Sequence, residues 1–334
     1  MTSQRGTMVM SLDLELCWGR FSRIPVSVLE AESCEERSQI KRLLALLDQY
    51  DIPSTWAIVG HLMLDGCSRH AGHAHGEVAS RPEYSWFRKD WYVYDPCTNA
   101  AQSPGWYAPD ILRWIRETRV KHEVGSHSFA HIYYGDVECS AEAARDDLRA
   151  AVAAAAAKGI SLRSFVFPRN QVGHLDVLRE LGIRTYRGID PAWPRYGKGA
   201  LFKTMNFFDQ LLGLPPEPIH AQETIPGLWN IPGNHFYMAR TGVRKMIPIA
   251  SRVLKGKLGI RQAIRRGGVY HLWFHPFNLN ADADAMLSGL ERIFAYAHRM
   301  RERGLLDIST MAEYGARLAA RQTQEADAMT PVLA

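Results

Sequence analysis

Apolar and polar positions alternate strictly over residues 11–19, SLDLELCWG, where Leu12, Leu14 and Leu16 are interleaved with Asp13 and Glu15. A period of two places the leucines on one face of a β-strand and both carboxylates on the other. If that second face meets water, the strand is ordinary. If it meets an interior, the pair needs partners, because unpaired buried charge is expensive.

Further along, the period changes repeatedly. Ile40, Leu43, Leu44 and Leu47 recur at helical spacing within 35–52, and the apolar run at 53–60 predicts a short strand. Residues 67–107 lose regularity but hold many histidines and aromatics among prolines and glycines, which argues for an ordered functional insertion. An amphipathic helix is predicted over 108–119, a strand within 122–131, and a helix over 140–159 with Ser140 at its start and Gly159 after its end. A strand at 162–168, a helix at 173–182 and a strand at 183–189 follow. Residues 190–267 read as irregular and then basic. A strand at 267–276, a helix at 284–303 and a final strand-plus-helix at 305–320 close the chain. Strands alternating with helices predict parallel βαβ units, here one barrel-like domain over residues 1–334. Catalytic groups in such a fold collect at the C-terminal ends of the strands.

Composition narrows the picture only slightly. With 46% apolar and 22% charged residues in 334, the chain is ordinary for a globular protein. No uncharged apolar stretch is long enough to cross a membrane, and the N-terminus has no basic start with an apolar core, so a cytoplasmic protein is expected. Five scattered cysteines without a C-x-x-C pair suggest neither a disulfide framework nor a cysteine zinc site. The net charge of +5 is mild, but Arg244, Lys245, Arg252, Lys255, Lys257, Arg261, Arg265 and Arg266 lie in one acid-free run. That run is either a solvated face or a contact for anionic lipid or phosphate. No nucleic-acid-binding motif accompanies it.

The sharpest chemistry lies in EVGSHSFAH. His127 and His131 stand four apart after an apolar strand, a spacing that brings both imidazoles to one face if the chain turns helical there. Two imidazoles and one carboxylate make a common catalytic zinc site, but the glutamate of H-E-x-x-H is missing. A base must come from another strand, and the Asp13/Glu15 pair can supply both it and the metal carboxylate. Arg169 and Asn170 follow one strand and His275 another, so four strand ends finish in polar or ionisable groups.

The ordered stretches SLDLE, HSFAH, FPRN, RGIDPAW and WFHPFN resemble the motifs of the polysaccharide deacetylase family, the NodB homology or carbohydrate esterase 4 superfamily, over residues 11–278. The resemblance implies a distorted (β/α) barrel of about seven parallel strands, with 67–107 as an aromatic-rich insertion. It implies Asp13 as catalytic base, Glu15, His127 and His131 as ligands of Zn2+ or another divalent transition metal, and His275 as general acid. Arg169 would orient the base and Asp190 would support that arginine. Asn170, Trp91, Trp18 and His235 are the expected substrate contacts, with the insertion as a lid over sugar rings. The sequence departs from the family in its acid-x-acid first motif and in Pro-Arg-Asn, where the proline precedes the arginine. The implied activity is removal of an acetyl or formyl group from an amino sugar of a surface glycan or its nucleotide- or lipid-linked precursor. A cytoplasmic enzyme that engages the inner membrane face peripherally would suit such a substrate. The competing readings are a cyclic imide or amide hydrolase and a catalytically inactive carbohydrate-binding scaffold.

Overall fold

The first strand is not half-exposed: all nine residues of β1 (Gly6–Leu14) are buried. Its two faces nevertheless differ, as the alternation requires. Met8, Met10, Leu12 and Leu14 pack into the large core under the helices. Val9 joins a separate, smaller apolar cluster with Ala57, Val166, Ile231, Val269, Met311 and Tyr314. Ser11 and Asp13 continue that second face, so the carboxylate side of the strand points into the interior.

The computed structural model describes residues 5–189 and 199–329. After β1 come α1 (Val26–Tyr50), β2 (Thr55–Ile58), the short hairpin β3 (Arg69–His70) and β4 (His73–Ala74), α2 (Pro109–Glu117) and β5 (Glu123–Ser126). Next are α3 (Ala141–Ala157), β6 (Ser164–Val166), α4 (Leu175–Glu180), β7 (Thr185–Arg187) and α5 (Ala200–Leu212). β8 (Gln222–Ile225), β9 (Leu228–Asn230), β10 (His235–Phe236), α6 (Ile249–Arg266), β11 (Val269–Phe274), α7 (Ala283–Glu302), β12 (Leu306–Ser309) and α8 (Met311–Met329) complete it. The main sheet runs β10-β11-β1-β2-β5-β6-β7-β9-β8, with β12 also paired to β1. It curls into an open half-barrel of mainly parallel strands, as expected, with β8 pairing antiparallel to β9 at one edge. Strands buried on both faces by flanking helices are what a parallel sheet demands.

Two expectations need correcting. Residues 190–267 are not irregular where described, since α5, β8, β9, β10 and α6 occupy them. Nor is the basic run one solvated face. Arg252 and Lys255 are buried, Arg252 donating to the Met238 carbonyl and Lys255 pairing with Asp209 at 2.7 Å. The helix expected at 140–159 is sharply capped: the Ser140 hydroxyl accepts from the Ala143 amide, and Gly159 takes φ +70°.

Candidate active site

Asp13, Glu15, His127, His131 and His275 converge at the C-terminal ends of β1, β5 and β11. Glu15 follows β1 as the chain turns, and Leu16 adopts φ +46° to make that turn. Its Oε1 lies 3.1 Å from Nε2 of His127 and 3.1 Å from Nε2 of His131. The Nδ1–H of His127 donates to the Val166 carbonyl at 2.8 Å, which fixes the tautomer and leaves its Nε2 lone pair facing Glu15. Nδ1 of His131 is buried without a partner. One carboxylate oxygen and two imidazole nitrogens aimed at one point suit a divalent transition metal.

The histidine segment is not the helical turn that its spacing allows. It leaves β5 as a loop in which Ser128 and His131 have φ +69° and +59°. Asp147 of α3 holds that loop, its carboxylate accepting from the amides of Phe129 and Ala130 at 2.8 and 3.1 Å and from the Tyr134 hydroxyl at 2.9 Å. The Ser128 hydroxyl accepts from the Ile132 amide. Nothing in the H-x-x-x-H motif names Asp147; an acid inside the alanine-rich helix of residues 141–157 was the available signal.

Asp13 makes a different set of contacts. Arg187, at the end of β7, donates bidentately to its two carboxylate oxygens at 2.7 Å each. A relay stands behind this pair: the Nδ1–H of His271 donates to backbone carbonyls, the Ser11 hydroxyl donates to Nε2 of His271, and Arg187 donates to that hydroxyl at 3.0 Å. Trp273 covers the guanidinium at 4.1 Å, and the Asn170 side-chain oxygen accepts from it at 3.2 Å. The arginine beside Asp13 is therefore Arg187, correcting the expectation for Arg169. Arg169 has φ +56°, is exposed, and lies with its guanidinium 5.4 Å from the Tyr133 ring.

Electrostatics separate the two acids. Burial would raise the pKa of Asp13, but the charge and hydrogen bonds of Arg187 outweigh it and hold the carboxyl below its usual range. Burial opposes ionisation of Glu15 likewise, yet the surrounding histidines carry it well below. For His275, burial opposes protonation, while Glu15 and Asp13 more than compensate and raise its pKa. Its Nε2 stands 3.3 Å from Glu15 and 3.7 Å from Asp13, and its side chain, 19% exposed, is the most open of the cluster. Phe277 stacks on its ring at 4.7 Å.

Other expected substrate contacts lie elsewhere. Trp18 and Trp91 are 1% and 2% exposed in an aromatic core formed with Phe21, Tyr92 and Trp106, and the Trp91 indole donates to the Ala130 carbonyl. They hold the insertion down and face no solvent. His235 is buried too, 2.6 Å from the Tyr270 hydroxyl. Asp190 lies outside the described residues. The exposed aromatic of the insertion is Trp86, stacked on Tyr84 and on Tyr133, whose ring meets His131 edge-on.

No protein-family model and no curated protein sequence matches the chain. Solved structures do. A chain described as a polysaccharide deacetylase from Mycobacterium smegmatis superposes with a TM-score of 0.63 at 14% identity, covering 96% of this chain and 93% of that one. The fold is that of the polysaccharide deacetylases. A second chain so described, from Pseudomonas aeruginosa PAO1, gives 0.58 at 12% identity over 93% and 89% of the two chains. An allantoinase gives 0.56 at 13% identity over 96% and 92%. At these identities the likeness concerns the deacetylase fold alone, and chemistry has to be argued from the site.

Proposed function

We propose that this chain is a metal-dependent N-acyl hydrolase that removes an acetyl or formyl group from an amino sugar. The observation that carries the reading is the division of two neighbouring carboxylates. Glu15 shares its oxygen with two imidazole nitrogens, whereas Asp13 is clamped by an arginine. A divalent transition metal, with Zn2+ the first choice, would be held by Glu15, His127 and His131 and would supply Lewis acidity and a water of lowered pKa.

The chain's own groups do the proton work. Asp13, ionised by Arg187, accepts the proton of the attacking water, since each oxygen keeps a lone pair beyond the one Arg187 uses. His275, protonated through its two acidic neighbours, gives its proton to the departing amine. Arg169 and Trp86, both exposed and both against Tyr133, offer a cation and a ring to the sugar. The surface glycan or its nucleotide- or lipid-linked precursor is the substrate class we favour.

A lipid-facing role rests on a second feature. Leu201, Met205, Phe208 and Leu212 form an exposed stripe at helical spacing on α5, and exposed Val243 and Met246 flank Arg244 and Lys245. We assign this surface to peripheral contact with anionic lipid, and flotation with phosphatidylglycerol vesicles but not phosphatidylcholine vesicles tests it. Among the described residues no helix is long and apolar enough to cross a membrane.

The enzymatic test is a screen of N-acyl amino sugars and cyclic imides for acetate, formate or ammonia release, run beside Asp13→Asn and His127→Ala. Acid release from amino sugars that both substitutions abolish is expected. Ammonia or ring-opened product from imides instead favours a cyclic imide hydrolase, a reading the allantoinase likeness keeps in the screen. Inactivity of a protein that still binds amino sugars would support the scaffold reading.

A further inference from the structure

Four potential ligands, three from the insertion and one from the turn before it, crowd together outside the site described above. His61 comes from the turn after β2, His75 follows β4, and Cys67 and Asp95 come from the loops around them. The side chains of His61 and Asp95 are fully buried and that of His75 is 3% exposed. Nε2 of His61, Nε2 of His75 and Oδ2 of Asp95 form a triangle with edges of 3.0, 2.9 and 2.9 Å. Cys67 Sγ lies 3.5 Å from the same Asp95 oxygen.

Hydrogen bonds alone do not satisfy this triangle. The Nδ1–H of His61 donates to the Trp106 carbonyl at 3.0 Å, and the Nδ1–H of His75 donates to Glu77 at 2.9 Å. Each imidazole has therefore committed its Nδ1 proton outward, and both Nε2 atoms point at each other and at a carboxylate oxygen. Three edges would need three protons. If neither Nε2 carries one, three acceptors face each other; if one does, at least one edge still joins two acceptors; if both do, two N–H donors collide across 3.0 Å in a buried site. A cation inside the cluster satisfies every edge at once.

The surroundings are built for one. Asp95 Oδ1 is saturated by the Cys97 amide at 2.9 Å and the Tyr107 hydroxyl at 2.9 Å, which turns Oδ2 inward. Both imidazoles have their outer nitrogen fixed by an acceptor, the arrangement typical of ligating histidines. We propose that His61, His75, Asp95 and Cys67 form a second metal site, a structural Zn2+ site of N2OS ligation that staples the insertion to the end of β2. Borderline-soft nitrogen and thiolate donors favour zinc over magnesium or calcium. Cys67 joins as the thiolate, and its proton leaves to solvent. The staple also reaches the histidine loop, because the His61 amide donates to the Phe129 carbonyl and the Phe129 ring contacts both His61 and His75.

Cobalt separates the two sites, since only this cluster offers a thiolate. Full-length protein loaded with Co2+ should show a thiolate-to-cobalt charge-transfer band in the near ultraviolet. Elemental analysis of the zinc form should find one equivalent more than the Glu15–His127–His131 site accounts for. His127→Ala should lose one equivalent and keep the band. Cys67→Ser should abolish the band with the fold intact by circular dichroism, and His75→Gln should lose the second equivalent and speed proteolysis within residues 67–107. A band surviving Cys67→Ser, no band in the wild-type protein, or unchanged stoichiometry in His75→Gln overturns the proposal. Loss of metal from His127→Ala alone speaks only to the catalytic site, so the two readings fail separately.

Discussion

Asp13 and Arg187 act as one unit: a bidentate pair buried to within a few per cent, backed by Ser11, Asn170 and Trp273. Removing one member leaves the other charged and buried, which typically costs about 3–5 kcal/mol. Arg187→Ala should therefore lower stability and also move the acid limb of the kcat/KM profile toward neutral pH, because Asp13 then loses what keeps it ionised. The second effect marks positioning of the base, and an unmoved acid limb would refute it. Arg169→Ala should leave that limb in place and raise KM. His275→Gln should cut kcat by about 10²–10⁴-fold and remove the alkaline limb, since the lost group must be protonated to act. The sequence made Asp13, Glu15, His127, His131 and His275 legible because they end or follow strands within three short motifs, SLDLE, HSFAH and WFHPFN. Arg187 opens the RGIDPAW stretch, but that motif drew attention to Asp190, while Arg169 drew attention by its neighbouring proline.

At the scale of elements, strand ends set where functional groups sit, but loops and the helices behind them set their aim. The loop after β5 carries both candidate metal histidines, and α3 holds its amides through Asp147. Asp147→Ala leaves two buried N–H groups without acceptors, at about 1–3 kcal/mol each. We expect a lower melting temperature and a 10–100-fold weaker metal affinity, read by competition with a chelator. Unchanged affinity would mean that the loop keeps its shape without α3. The insertion follows the same logic. Its aromatic density was plain from the sequence, yet density alone does not say which rings face inward. Trp18 and Trp91 proved to be core, and Trp86 is the ring left exposed. Trp86→Ala should raise KM for a glycan substrate at least several-fold with kcat nearly unchanged, whereas a purely structural ring would alter melting temperature instead. The parallel βαβ order was legible because the alternation of strand and helix repeats along the chain. The elements within 190–267 were not, because prolines and glycines there interrupt short strands whose pairing is decided by distant partners such as β7 and β11.

For the molecule as a whole, two buried titratable groups with opposite shifts predict a stability plateau between about pH 4.5 and 6.5. His122 packs where its Nδ1 accepts from the Ser54 amide, and burial pushes its pKa down from 6.5 to about 4. A histidine with a depressed pKa binds fewer protons folded than unfolded, so stability falls as pH drops from 6.5 toward 4, by roughly 1.4 kcal/mol per unit. Glu36 in α1 works in the other direction. Burial, followed by the charge of Glu15, raises its carboxyl from 4.5 to about 8, and its Oε1 has no partner. The folded state then holds a proton that the unfolded state has lost, so this contribution is complete below pH 4.5 and disappears as pH rises toward 8. Urea unfolding across pH 4–9, in chelator so that protons do not compete with metal, should trace that plateau and fall away on both sides of it. His122→Asn supplies an acceptor to Ser54 without titrating and should remove the acid fall, leaving stability to decline from about pH 4.5 upward. Glu36→Gln should remove the alkaline fall, so that stability rises up to about pH 6.5 and then stays level. A variant that shifts the whole curve without changing its shape would mean that its group does not titrate between the folded and unfolded states.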